Sequence, residues 1–139
     1  MEATVPAKIL YPPPSAYRPF ETAATDTLPY LRELRALLTA ENADGYIFQA
    51  FPYAYEHANR YLEMASGIMG RLFPRPEFVS DGEGGIDIEW INGQKKVTLS
   101  CRRNDTQRDY IYWQENADYD ARDFSPLRLI ERLRWLNRA

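Results

Sequence analysis

The chain has 139 residues, a formal net charge of −3, 45% hydrophobic and 27% charged residues, one cysteine and one histidine. That length suits one domain with a single core. The acidic balance argues against a generally basic nucleic-acid binder, and a lone Cys101 excludes an intrachain disulfide.

Residues 1–24 read as a proline-rich arm. Pro6, Pro12, Pro13, Pro14 and Pro19 remove backbone donors and favour extended chain. Tyr11, Tyr17 and Phe20, with Ile9 and Leu10, are nevertheless too apolar for a solvated tail. Such an arm either packs on its own domain or meets a partner. It lacks the basic-then-apolar order of a signal peptide, and no apolar run along the chain reaches membrane-spanning length, so a cytoplasmic protein without a membrane segment is expected.

Residues 25–139 then read as one α+β domain. A first helix is predicted from about Leu28 to Ala40, with Thr25, Asp26 and Thr27 as caps and Leu31, Leu34 and Leu38 on one face. A second runs from Pro52 to before Pro74. Ala54, Ala58, Leu62, Ala65 and Met69 recur at three or four residues, and the small side chains allow close approach of a neighbour.

Phe78-Val79 is a short strand. The alternation from Ile86 to Leu99 predicts a β-hairpin over 85–91 and 94–102, and Asn92-Gly93 is the preferred dipeptide of a two-residue turn. With that loop, Ile88 faces Val97, Ile86 faces Leu99, Gly84 faces Cys101, and Trp90 lies opposite Lys95. A further strand covers Asp109 to Gln114, with Ile111 and Trp113 on one face and Tyr110 and Tyr112 on the other. Asn116 to Phe124 reads as an acidic loop. Ser125-Pro126 caps a last helix reaching about Asn137, with an apolar stripe of Leu127, Ile130 and Leu133 widened by Leu129, Leu136 and Trp135. The expected architecture is two N-terminal helices, a three- to four-stranded antiparallel meander, and a C-terminal helix.

Chemistry-bearing motifs are sparse. His57, with Tyr53 and Glu56 nearby, is the one candidate base, but no acid–base partner is visible along the chain. No metal-ligand spacing and no cofactor motif occurs. Asp118, Asp120 and Asp123 lack the glycine and terminal glutamate of a calcium loop. Gly82-Glu83-Gly84-Gly85 stands between strands rather than before a helix, so a flexible turn explains it better than a phosphate cradle. An enzyme acting through His57 or the acidic stretch needs a pocket around one of them.

From Asp44 onward the chain resembles a family of short bacterial proteins. Their pattern runs roughly W-D-G-Y-G, then a proline-opened helix, P-x-V and a G-G-I-x-L-E-W strand. Ala43-Asp44-Gly45-Tyr46, the helix from Pro52, Pro76-Glu77-Phe78-Val79 and Gly84-Gly85-Ile86-Asp87-Ile88-Glu89-Trp90 occupy those places in order. The resemblance implies a small partner encoded beside another gene, antitoxin-like or a defence-system accessory, and carries no catalytic residue.

The expected function is therefore non-enzymatic protein binding, with ten tyrosines leaning toward an interface. Tyr11, Tyr17, Phe20, Tyr110 and Tyr112 are the candidate contacts, with a protein partner or a second copy of the chain. The alternative is a nucleic-acid-binding regulator using Lys95, Lys96, Arg102 and Arg103 together with the arginines of the last helix.

Overall fold

The structure is a computed structural model that describes residues 30–39 and 49–138. The proline-rich arm, with Tyr11, Tyr17 and Phe20, lies outside the described residues, as does the Ala43-Asp44-Gly45-Tyr46 segment.

Five strands pair antiparallel in chain order: β1 (Glu77–Ser80), β2 (Ile86–Asn92), β3 (Lys95–Cys101), β4 (Tyr110–Glu115) and β5 (Asp118–Asp123). Helix α1 (Tyr30–Ala36) continues into a 3₁₀ turn at Leu37–Thr39, α2 (Pro52–Met69) into another at Gly70–Leu72, and α3 (Pro126–Asn137) closes the fold. The α+β class, the antiparallel meander and the C-terminal helix are as expected. Among the described residues the sheet has five strands, not three or four.

The core forms where the strand alternation meets the helix stripes. Ile86, Ile88 and Trp90 of β2, Val97, Leu99 and Cys101 of β3, and Ile111 of β4 point to one face and are buried. Ala54, Ala58, Leu62, Ala65 and Met69 of α2 and Leu129, Ile130, Leu133 and Leu136 of α3 complete the same cluster. Each large aliphatic side chain buried there contributes about 1.5–3 kcal/mol. Leu127, placed on the helix stripe by its spacing, instead lies outside the core at 66% exposure, and Leu129 and Leu136 fill that role. Trp90 satisfies its indole N–H at the Pro74 carbonyl, 3.0 Å away.

The hairpin differs from expectation in its register. Its loop is Gly93-Gln94, so Asn92 pairs with Lys95, Trp90 with Val97, Ile88 with Leu99 and Ile86 with Cys101. Gly93 has φ 63 at the first loop position, as a type II′ turn requires. The end of α3 supplies the reason. The last four carbonyls of a helix have no partner within it. Asn92 Nδ2 donates to the Leu136 carbonyl at 2.7 Å, and Lys95 Nζ to those of Trp135 and Arg138 at 2.9 and 3.1 Å. Both side chains must flank the turn to reach them. The pairing moves by two positions in sum, so each residue keeps its face of the sheet.

The stretch expected to be an acidic loop is β5. A two-residue turn at Asn116-Ala117, with Asn116 at φ 55, folds it back so that Glu115 pairs with Asp118. Its core-side positions are Asp118, Asp120 and Arg122, so this edge strand has no apolar face to reveal it.

Between β1 and β2 the backbone winds around Asp81. Its Oδ1 accepts from the amides of Glu83 and Gly85 at 2.7 and 2.8 Å. A Cβ on Gly85 would press into Asp81 Oδ2 and stand 2.8 Å from the Cys101 carbonyl oxygen. A Cβ on Gly67, exposed on α2, would meet nothing within 4 Å. Urea unfolding should therefore show Gly67→Ala stabilised by about 0.5–1 kcal/mol and Gly85→Ala destabilised by about 1–3 kcal/mol.

Candidate functional site

All three described helices pack on one face of the sheet, and strand alternation assigns the rest of the side chains to the other. That outer face carries Val79 of β1, Asp87 and Glu89 of β2, Lys96, Thr98 and Ser100 of β3, Tyr110 and Tyr112 of β4, and Tyr119 of β5. Tyr119 is 70% exposed, Val79 45% and Tyr110 36%. Tyr112 stacks on Tyr119 with centroids 5.8 Å apart, and the Arg102 guanidinium lies 5.7 Å from the Tyr110 ring. Asp87 is half-buried and its Oδ1 has no hydrogen-bond partner among the described residues. Desolvation raises its carboxyl above the usual range, with Ser100 opposing.

The candidate nucleic-acid contacts are dispersed. Lys95 is turned inward, spanning the carbonyls at the end of α3 with its ammonium 5.0 Å from the Trp135 ring. Lys96 pairs with Glu89 at 3.5 Å. Arg102 binds Gln107 Oε1 at 3.0–3.1 Å and Ser100 Oγ at 3.1 Å. Arg103 is exposed in the following loop, at the opposite end of β3 from Lys95 and Lys96.

His57 does have a partner, 52 positions away in the chain. Its Nδ1 lies 2.9 Å from Asp109 Oδ2, and the Tyr61 hydroxyl donates to the same oxygen at 2.8 Å. Asp109 Oδ1 accepts the Arg102 backbone N–H at 2.7 Å. A carboxylate oxygen accepts, so Nδ1–H is the donor of this pair. The spacing of α2 puts Tyr53, His57 and Tyr61 on one side, one turn apart. Tyr53 lies 4.1 Å from the His57 ring, and Tyr61 stacks on Phe124 at 4.0 Å. These groups and the 105–109 segment border a half-open recess of about 330 Å³.

Neither neighbouring protic group is activated as a nucleophile. Tyr61 is pushed well above the ordinary phenol range, first by burial and then by its bond to Asp109. Cys101 is fully buried, and desolvation, reinforced by the charges of Asp109 and Asp87, keeps it a thiol. On β5, Asp120 is lowered by the Ala121 amide and then by Arg122, as in a local ion pair. Among the described residues no three His, Cys, Asp or Glu side chains gather as a metal site, and no helix is long and apolar enough to cross a membrane.

Tyr119 and Asp109 escape the sequence reading for different reasons. Tyr119 sits in a strand without hydrophobic period. Asp109 becomes a partner only through the meander that returns β4 beneath α2. No family model, curated protein or solved structure matches this chain.

Two outcomes follow from the Asp109 cluster. Asp109→Ala leaves three donors without their acceptor and should cost about 2–4 kcal/mol in chemical denaturation. Burial raises Tyr61 and takes Tyr30 up to about 12. Unfolded tyrosine titrates near pH 10, so stability from these groups is complete below about pH 10 and is lost as the pH rises beyond it. Urea midpoints measured between about pH 8 and 11.5 should decline at the alkaline end, and less so in Tyr61→Phe.

Proposed function

We propose that this chain is a small, non-enzymatic partner-binding protein whose contact surface is the outer face of the sheet around Tyr110, Tyr112 and Tyr119. The observation that carries this reading is the asymmetry of the sheet. Every described helix lies on the Ile88–Trp90 side, while the opposite side presents the exposed rings of Tyr110 and Tyr119, with Val79 also exposed on that face. Tyrosine supplies large contact area at low entropic cost and is common among binding hot spots.

The resemblance to short bacterial proteins with a G-G-I-x-L-E-W strand supports an antitoxin-like or defence-accessory subunit, with its partner encoded by an adjacent gene. The diversion of Lys95 into the fold, and the pairing of Lys96 and Arg102, weigh against the nucleic-acid alternative.

Co-expression with the products of neighbouring genes, followed by size-exclusion chromatography, tests the reading. A stoichiometric complex is expected. Tyr119→Ala and Tyr110→Ala should each weaken it about tenfold or more while shifting stability by no more than about 0.5 kcal/mol. A chain that stays monomeric and recovers no neighbour product overturns the proposal. Salt-sensitive retention of DNA or RNA instead of protein would favour the nucleic-acid-binding regulator.

A further inference from the structure

We propose that the recess beside His57 is a binding site for a guanidinium group. The inference stands apart from the outer-face reading, because it rests on the chemistry of a different part of the surface.

The polar inventory of the recess is acceptor-rich. His57 Nδ1 is committed to Asp109, which leaves Nε2 without a partner among the described residues; in the neutral imidazole that nitrogen is an acceptor. Asp105 and Asp123 contribute carboxylates to the lining. Asp109 is already filled by its three donors. Asp105, Asp109 and Asp123 set three carboxylates in the lining against the single guanidinium of Arg108, so a ligand that brings donors and positive charge complements it. An anion would meet two carboxylates, and an apolar group would leave the acceptors dry and unpaired.

The remaining lining is aromatic. Tyr53, Tyr61 and Phe124 line the recess, and cations are attracted to aromatic faces. A guanidinium fits this mixture better than an ammonium. It is flat, so it can lie on a ring, and its N–H groups are arranged as a fork that can reach two acceptors at once.

The fold uses the same solution elsewhere. Arg132 places its guanidinium 4.7 Å from the Trp113 ring and 5.4 Å from that of Trp135. Glu115, Asp118 and Asp120 line that second recess, of about 220 Å³. Among the described residues Arg108 is the cation in the lining of the His57 recess. It sits at the rim, 2.9 Å from Asp123 and 84% exposed.

The only histidine of the chain makes the test direct, since its ring signals cannot be confused with others. The full-length protein, labelled with ¹⁵N and ¹³C, is titrated with argininamide, with lysinamide, and with an acetylated, amidated Gly-Arg-Gly peptide, while the His57 resonances are followed. A saturable shift with argininamide, with half-saturation near about 1 mM, is expected for so small a ligand. Asp105→Asn, at an exposed position, should fold normally and weaken the response about tenfold. Arg108→Ala should strengthen it severalfold by releasing Asp123. A response at least as strong to the peptide assigns the guanidinium to a polypeptide; a response to argininamide alone assigns it to a free small molecule. A non-saturating shift, an equal response to lysinamide, or no effect of Asp105→Asn overturns the proposal.

Discussion

A buried carboxylate is costly unless its lone pairs are filled, and Asp109 meets that requirement by tying together parts of the chain that are far apart. Its side chain is 8% exposed. One oxygen takes the backbone N–H of Arg102, which closes the polar loop between β3 and β4. The other takes Tyr61 and His57, which fastens the middle of α2 over the start of β4. The backbone carbonyl of the same residue accepts from Phe124 at 2.9 Å and so marks the end of β5. Charge-assisted bonds of this kind are stronger than neutral ones, and in a low dielectric they hold direction as well as distance. The orientation of the imidazole, and hence what lies in the recess beside it, follows from that one side chain.

A second constraint acts at the opposite end of the sheet. The C-terminal turn of α3 has carbonyls to satisfy, and the β2–β3 turn carries the donors. The turn thus does more than reverse the chain. It couples the position of the last helix to the hairpin register, and the Asn116 amide adds a bond to the Gln94 carbonyl that brings the neighbouring turn into line. Between these two anchors the apolar faces of β2 and β3 are held against α2 and α3. Among the described residues the sheet is covered by helices on one side only, and Tyr110 and Tyr119 are exposed on the other.

Much of the fold was legible because burial imposes a period. The alanine stripe of α2, the alternation of β2 and β3, and the Ser125 cap of α3, whose Oγ accepts from the Arg128 amide at 3.1 Å, could all be read directly. What resisted was decided by something other than burial. Asn92-Gly93 is a good turn by local preference, yet Asn92 is drawn into the ladder by a helix end that lies 44 positions later. β5 is an edge strand whose two faces are both polar or exposed, so no periodicity announces it. The site residues divide in the same way. Tyr110 and Tyr112 fall on the outer face by simple alternation from Ile111 and Trp113. The His57–Asp109 contact depends on three-dimensional return of the chain, which a linear spacing does not encode.

The borders of the sheet bear on how another molecule could meet it. β1 is four residues long and follows Pro74 and Pro76, so its free edge is short. β5 displays Asp118, Asp120, Arg122 and Asp123 along the other border. Short length and charge are the usual means of discouraging an incoming strand. A partner that extends the ladder by backbone pairing gains little at either border, and copies of the chain have little tendency to stack edge to edge. For the partner proposed above, recognition would fall to side chains standing up from the sheet, where the identity of each residue, rather than the repeating backbone, sets which molecule is accepted.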